Sequence, residues 1–327
     1  MNLDQVARRA NVSTATVSRV LNNSTSVRSA TRERVLEAIA ALNYHPNLHA
    51  RDLAGRKSRT IGVIVSNLEN PFFFDIYKEV EAGAHRRGYE VVMANTNYSA
   101  DQLLASLRLM IGRRVAGLAA IVSEISTEAI DELHTRHVPT VFYDVGTPRP
   151  HITNIRVNYR LGIEQLIGHL SSLGHRKLGF IGHHSALGPI NERRKALSDA
   201  VAANPALELH TAADADTLEG GRAAARELLD SDFQPTAILC VNDIMAAGAL
   251  RELRDRNLRV PEDISITGFD NIALSEFCVP SLTTVHIPRD RIGQIICDRL
   301  IEPEASSDHE IVIDPEFVVR SSTGPVR

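Results

Sequence analysis

The chain has 327 residues, with 36 Lys+Arg against 40 Asp+Glu for a net charge of −4, and is 43% hydrophobic and 23% charged. This is the composition of folded globular domains, long enough for two or three of them with their own cores. It excludes a disordered chain, and with no apolar run near the ~20 residues that cross a bilayer it excludes a helical membrane protein.

The charge is unevenly placed. Residues 1–59 hold ten Lys/Arg against four acids, a net of +6, so residues 60–327 carry −10 of the overall −4. A basic head on an acidic body is the footprint of a nucleic-acid module joined to something else. The head itself predicts three helices. Asn2 caps a first one over about Leu3 to Ala10, with Leu3, Val6 and Ala7 inward. Asn11-Val12-Ser13 makes a short turn, and Ser13 caps a second helix on which Val17, Val20 and Leu21 share one face. Thr14, Ala15, Ser18, Arg19 and Asn22 fall on the other, short and polar apart from one Arg, as base-edge and phosphate contacts require. A third helix, about Ser29 to Leu42, brings Val35, Leu36 and Ile39 to close a small core. Helix, turn and helix in this pattern is a device for entering a major groove.

Residues Asn47 to Ala54 allow two turns of helix, stopped by Gly55. Eight residues are marginal alone, because nucleation is costly, but such a segment can fold against a partner and DNA. Downstream the texture changes to short Val/Ile-rich runs: Thr60–Asn67, Tyr89–Thr96, Val115–Val122, Val138–Val145, Lys177–His183, Thr236–Asp243 and Ile264–Asn271. Between them lie amphipathic stretches at Tyr77–Arg87, Asp101–Arg113, Gly162–Leu173, Thr217–Leu229 and Ile244–Asn257. The alternation predicts parallel sheets covered on both faces, in two doubly wound lobes with a ligand cleft between them. Leu300 to Glu310 reads as an exposed loop.

Other chemistries fit poorly. The segment before Lys57-Ser58 lacks the first glycine of a phosphate loop, and Gly179 to Gly182 lacks the third glycine of a dinucleotide fingerprint. His134/His137 and His183/His184 have no third ligand at metal spacing, and Cys240, Cys278 and Cys297 are scattered without C-x-x-C spacing, as buried free thiols are. No cofactor is expected. The polar, helical N-terminus leaves no room for a signal peptide, so a cytoplasmic protein is expected.

Seven blocks in order carry a family pattern: VARRANVSTATVSRVLN with NYHPN and ARDLAGRKSRTIGVIV, then NPFF at 70–73, GHRKLGFIG at 174–182, NDIMAAG at 242–248, ISITGFDN at 264–271, SLTTV at 281–285 and VVRSSTG at 318–324. Over essentially its whole length the chain resembles the LacI/GalR family of bacterial transcription regulators. The resemblance implies an all-α helix-turn-helix head (1–45), a hinge (46–58) and a two-lobed periplasmic-binding-protein-like core (59–327). The N-lobe would be about 59–157 with 287–317 and the C-lobe about 158–286 with 318–327. It implies a homodimer on a near-palindromic operator, with Thr14, Ala15, Ser18 and Arg19 nearest bases, Thr16, Asn22, Tyr44 and Asn47 at phosphates, and Arg51, Leu53 and Ala54 in the minor groove, Leu53 as the wedge.

In the cleft it implies effector contacts from Ser66, Asn70, Phe72, Phe73, Asp144, Arg193, Asn242 and Asp270. These are strand-end groups suited to hydroxyl-rich ligands, and Arg193 is expected at the start of a helix after the loop 184–192. Many relatives place a stacking aromatic before Gly220-Gly221; here Asp216, or Ala215 on a one-residue slip, falls there, which favours a ligand richer in donors. The expected effector is a small polar molecule of sugar type acting as inducer. The alternative is a corepressor such as a purine, and a cleft enzyme fused to a DNA-binding head is the remote reading.

Overall fold

The computed structural model describes residues 2–21, 24–44, 58–124, 126–184, 187–302 and 309–327. The chain divides into two compact units, Met1–Ser58 and Arg59–Arg327. The hinge segment, with Asn47, Arg51, Leu53 and Ala54, lies outside the described residues, as does Asn22.

The first unit is three helices: α1 (Leu3–Arg9), α2 (Thr14–Leu21) and α3 (Ser29–Ala41). Asn2 and Gln5 form a reciprocal capping box at the start of α1, so two orphan N–H groups are satisfied. Asn11 takes φ 52°, which an Asn tolerates, and Ser13 Oγ accepts from the Thr16 N–H at 3.2 Å to start α2. Val6, Ala7, Ala10, Val17, Val20, Val35 and Ala38 make the core. Leu36 departs from expectation. It is 51% exposed and Ala38 takes its place, because 35, 38, 39 and 42 follow the helical stripe and 36 does not.

The second unit holds two parallel sheets. Strands β1 (Thr60–Val65), β2 (Glu90–Asn95), β3 (Gly117–Ile121), β4 (Thr140–Tyr143), β5 (Ile152–Val157) and β11 (Glu310–Ile313) form one, in the order β11-β5-β4-β3-β1-β2. Strands β6 (Lys177–His183), β7 (Glu208–Asp214), β8 (Ala237–Cys240) and β9 (Ser265–Thr267) form the other, in the order β7-β6-β8-β9. Central strands β1 and β3 are buried nearly end to end, as strands covered on both faces are. The covering helices are α4 (Pro71–Arg86), α5 (Ala100–Gly112), α6 (Thr127–Thr135), α7 (Tyr159–Ser172), α8 (Gly188–Ala202), α9 (Leu218–Asp230), α10 (Asp243–Asp255), the short α11 (Ala273–Phe277) and α12 (Arg289–Ile301).

Chain order and sheet membership place the passages between the two sheets after β5, before β11 and after β11. Strands β10 (Thr284–His286) and β12 (Glu316–Val318) pair antiparallel there, tying two crossings together. Strands β5, β7, β10, β11 and β12 are short or interrupted by polar residues and were not expected from the sequence. Helix α8 begins at Gly188 rather than at Arg193, so Arg193 sits in its second turn and faces inward. Helix α12 runs on to Ile301 and buries Leu300, so the exposed loop expected from Leu300 does not begin there.

Candidate functional site

On the head, Thr14, Ala15 and Arg19 of α2 are exposed, and Thr16 and Ser18 are half-buried, opposite the buried Val17 and Val20. The Thr16 hydroxyl shares a 2.9 Å hydrogen bond with Ser13, which fixes the turn. Tyr44 is half-buried, its ring packed on the head's own core. The face offered outward is short, polar and cationic, and that combination serves base edges and phosphates.

The second candidate site is the seam between the lobes. Its C-lobe wall starts from glycines. A Cβ on Gly221 would lie 2.2 Å from the Met245 carbonyl oxygen, and one on Gly248 would lie 1.9 Å from that of Leu218. Helices α9 and α10 therefore pack backbone to backbone, which no larger residue allows. Their N-termini meet, and Asn242 Nδ2 donates to Asp216 Oδ1 at 2.5 Å while Asn242 Oδ1 caps α10 through the Met245 N–H.

Arg193 lies between two rings, its guanidinium carbon 4.6 Å from the centre of Tyr159 and 4.4 Å from that of Phe269. Nη1 donates to the Val241 carbonyl at 2.7 Å and Nη2 to Asp270 Oδ1 at 3.1 Å; the buried Nε has no partner. Burial works against this charge, but Asp270 together with Tyr159 and Tyr143 outweighs the cost and holds the guanidinium charged. Burial lifts the Asp270 carboxyl to about 6, against the pull of Arg193 and Arg289. Arg289, at the second crossing, donates to the Asp270 and Asn271 carbonyls and lies 3.4 Å from Asp75 on α4.

The N-lobe wall is aromatic. Asn70 caps α4 through the Phe72 N–H, with Pro71 at the first helical position, and this aims Phe72 and Phe73 inward. Their rings meet edge to face at 5.5 Å, and Phe72 lies 5.7 Å from Tyr143. Tyr98, held at φ 60°, donates to Asp216 Oδ2 at 2.6 Å, and Asn70 Nδ2 reaches the same oxygen at 3.4 Å. The lobes thus meet directly across Asp216, and the pocket between them has a volume of about 30 Å³.

Of the nine cleft residues expected from the sequence, seven line this pocket: Asn70, Phe72, Phe73, Arg193, Asp216, Asn242 and Asp270. Ser66 and Asp144 are not among its lining. Ser66 Oγ donates to Glu124 at 2.6 Å and accepts from the Ser123 N–H, inside a knot that Thr96 completes on the other oxygen of Glu124. Asp144 accepts from the Val157 N–H at 2.9 Å and the Tyr159 hydroxyl at 2.5 Å, so its carboxylate braces the first crossing. Burial pushes its carboxyl to about 6, with those hydrogen bonds opposing. The sequence reading did not find Tyr98, Tyr143, Tyr159 and His183, which also line the pocket. Each stands at a strand end or just past one, and that position was the signal available.

Among the described residues no cluster of His, Cys, Asp or Glu is placed to hold a metal ion, and no helix is long and apolar enough to cross a membrane. Two family models match: "Bacterial regulatory proteins, lacI family" over residues 2–47, and "Periplasmic binding protein-like domain" over residues 167–323. The HTH-type transcriptional repressor PurR of Aliivibrio salmonicida is 36% identical over 329 residues, covering 98% of each chain. The crystal structure of the Lac repressor dimer bound to operator and the anti-inducer ONPF is 28% identical, covers 99% of each chain and superposes with a TM-score of 0.88. A LacI family transcriptional regulator from Enterococcus faecium with bound ribose is 28% identical over 82% of this chain and 100% of its own, with a TM-score of 0.73. A likeness that runs through both the helical head and the two-lobed core identifies the whole architecture: the chain belongs to the lacI family of bacterial regulatory proteins.

Proposed function

We propose that this protein is a ligand-responsive transcriptional repressor that binds a near-palindromic operator as a homodimer. The observation that carries it is the end-to-end relation to the PurR repressors, which spans the DNA-reading head and the interlobe pocket in one chain. Thr14, Ala15, Ser18 and Arg19 read bases, with Arg19 the principal donor. Thr16, Asn22, Tyr44 and Asn47 hold phosphates, and Leu53, flanked by Arg51 and Ala54, wedges the minor groove from a hinge over 46–58. Phe277 and Val279, 78% and 75% exposed on the C-lobe, are apolar side chains that a second copy would cover. The protein acts in the cytoplasm and performs no catalysis of its own.

The effector is a small polar molecule, a sugar or sugar derivative, bound between the lobes by Asn70, Phe72, Phe73, Arg193, Asp216, Asn242 and Asp270. It changes DNA affinity because it binds the DNA-competent and DNA-incompetent arrangements of the lobes unequally. The likeness to PurR favours a second reading, a corepressor of purine type at the same residues, for which the aromatic N-lobe wall supplies stacking faces.

Selection of bound fragments from genomic DNA, followed by footprinting, tests the first claim. A two-fold-related footprint is expected, and Arg19→Ala should weaken it by ~1–3 kcal/mol while barely changing non-specific binding. Equal operator affinity in that variant would remove Arg19 from the readout.

A further inference from the structure

We infer that the effector carries a cationic nitrogen, and that Asp216 is the group that selects it. This rests on the interlobe pocket being the effector site, and it narrows the class from polar molecules to amines, amino sugars foremost.

Asp216 stands where the two lobes meet. Its side chain is buried, yet all three of its hydrogen-bond partners are neutral: the Tyr98 hydroxyl at 2.6 Å, Asn242 Nδ2 at 2.5 Å and Asn70 Nδ2 at 3.4 Å. Among the described residues no Lys or Arg forms an ion pair with it. Asp270, the other carboxylate of the pocket, is answered by Arg193 at 3.1 Å. Asp216 therefore has no ion-pair partner where Asp270 has Arg193, and a buried carboxylate without one is costly.

A volume of about 30 Å³ holds a few water molecules at most, far less than a sugar needs, so any effector must part the lobes to enter. Parting them withdraws Tyr98 and Asn70, both on the N-lobe, and leaves Asp216 with Asn242 alone. Whatever enters must return at least two donors to a carboxylate that no cation balances. An ammonium has three donors and the missing charge, and bonds of that kind are about twice as strong as neutral ones. The rings of Phe72 and Tyr98 on the facing wall add attraction for a cation that a neutral hydroxyl does not receive.

The test uses the full-length protein and matched probes: glucosamine, N-acetylglucosamine and glucose, the galactose counterparts, and hypoxanthine and guanine. Binding is read by isothermal calorimetry and by the shift in melting temperature. An amino sugar should bind at least ~10-fold tighter than its neutral counterparts, the factor expected of one charge-assisted bond over a neutral one. Asp216→Asn should remove that preference, with its fold checked by circular dichroism and by its melting transition. Tyr98→Phe keeps the carboxylate and loosens the closed seam, so it should preserve the preference and tighten amine binding.

A neutral sugar or a nucleobase binding as tightly as any amine overturns the inference while leaving the pocket's role intact, and so does a preference that survives in Asp216→Asn. Binding by no amine overturns it as well. If no probe of any kind binds and operator affinity never responds, the effector reading of the pocket falls with it.

Discussion

The two lobes meet the same pocket with opposite chemistry. The C-lobe brings the charged groups Arg193, Asp216 and Asp270 to the seam, whereas the N-lobe brings Asn70 and the rings of Phe72, Phe73, Tyr98 and Tyr143 and keeps its own carboxylates occupied elsewhere. Asp144 and Asp270 show the contrast in one pair. Both follow strands, both take positive φ (65° and 102°), and burial lifts both carboxyls to about 6. Asp144 is spent on the Val157 N–H and the Tyr159 hydroxyl; Asp270 gives one oxygen to Arg193 and lines the pocket. Two carboxylates in like positions thus take different roles, and the groups brought against their oxygens decide which. The N-lobe holds the frame and the C-lobe holds the charge.

The strongest attack on that division is Arg193→Leu. It removes one partner of a buried pair and leaves Asp270 and the Val241 carbonyl unanswered, so urea unfolding of the core should lose ~3–5 kcal/mol. A loss within the scatter of a surface substitution would mean that the charge is not structural on the C-lobe side.

The pH dependence separates the lobes differently. Asp243, on α10, is buried and accepts from the Thr284 hydroxyl at 2.6 Å and the Ile272 N–H at 2.8 Å. Burial and the neighbouring Asp270 lift its carboxyl to about 8, with those hydrogen bonds and Arg289 opposing. A raised acid holds its proton in the folded state, so its stabilising contribution is complete below the unfolded value of about 4. That contribution is lost as pH rises through 8. Thermal melts from pH 6.5 to 9 should show falling stability, and Asp243→Asn should level that slope; an unchanged slope in the variant refutes the assignment.

Asp144→Ala should cost ~2 kcal/mol by orphaning two buried donors, yet leave the ranking of ligands unaltered. A changed ranking would move Asp144 from the frame to the site. The smallest effect is expected of Ser66→Ala, ~1 kcal/mol for one hydroxyl bonded to Glu124, again with no change in ligand preference.

Much of the fold was legible beforehand, because period and turn chemistry are local. The capped helices of the head and the parallel-sheet lobes followed from spacing, and the candidate cleft residues from the family resemblance. Strand β7 was not legible: only Ala212 of Glu208–Asp214 is buried, so no stripe marks it. Helix α8 was read as starting five residues late because Pro189 at its first turn marks a start only when the surrounding periodicity is clear.

Within the cleft, the sequence alone determined which residue types stand at which strand ends, since those follow from the order of elements. It left Asp216 or, on a one-residue slip, Ala215 before the paired glycines where a ring is common. Tertiary structure alone decided what each carboxylate does. Whether an oxygen is claimed depends on N–H and O–H groups brought in from other parts of the chain: Val157 and Tyr159 for Asp144, Tyr98 and Asn70 for Asp216. The last two lie more than a hundred residues from Asp216. Their meeting is a property of two lobes folded against each other, and no local spacing encodes it.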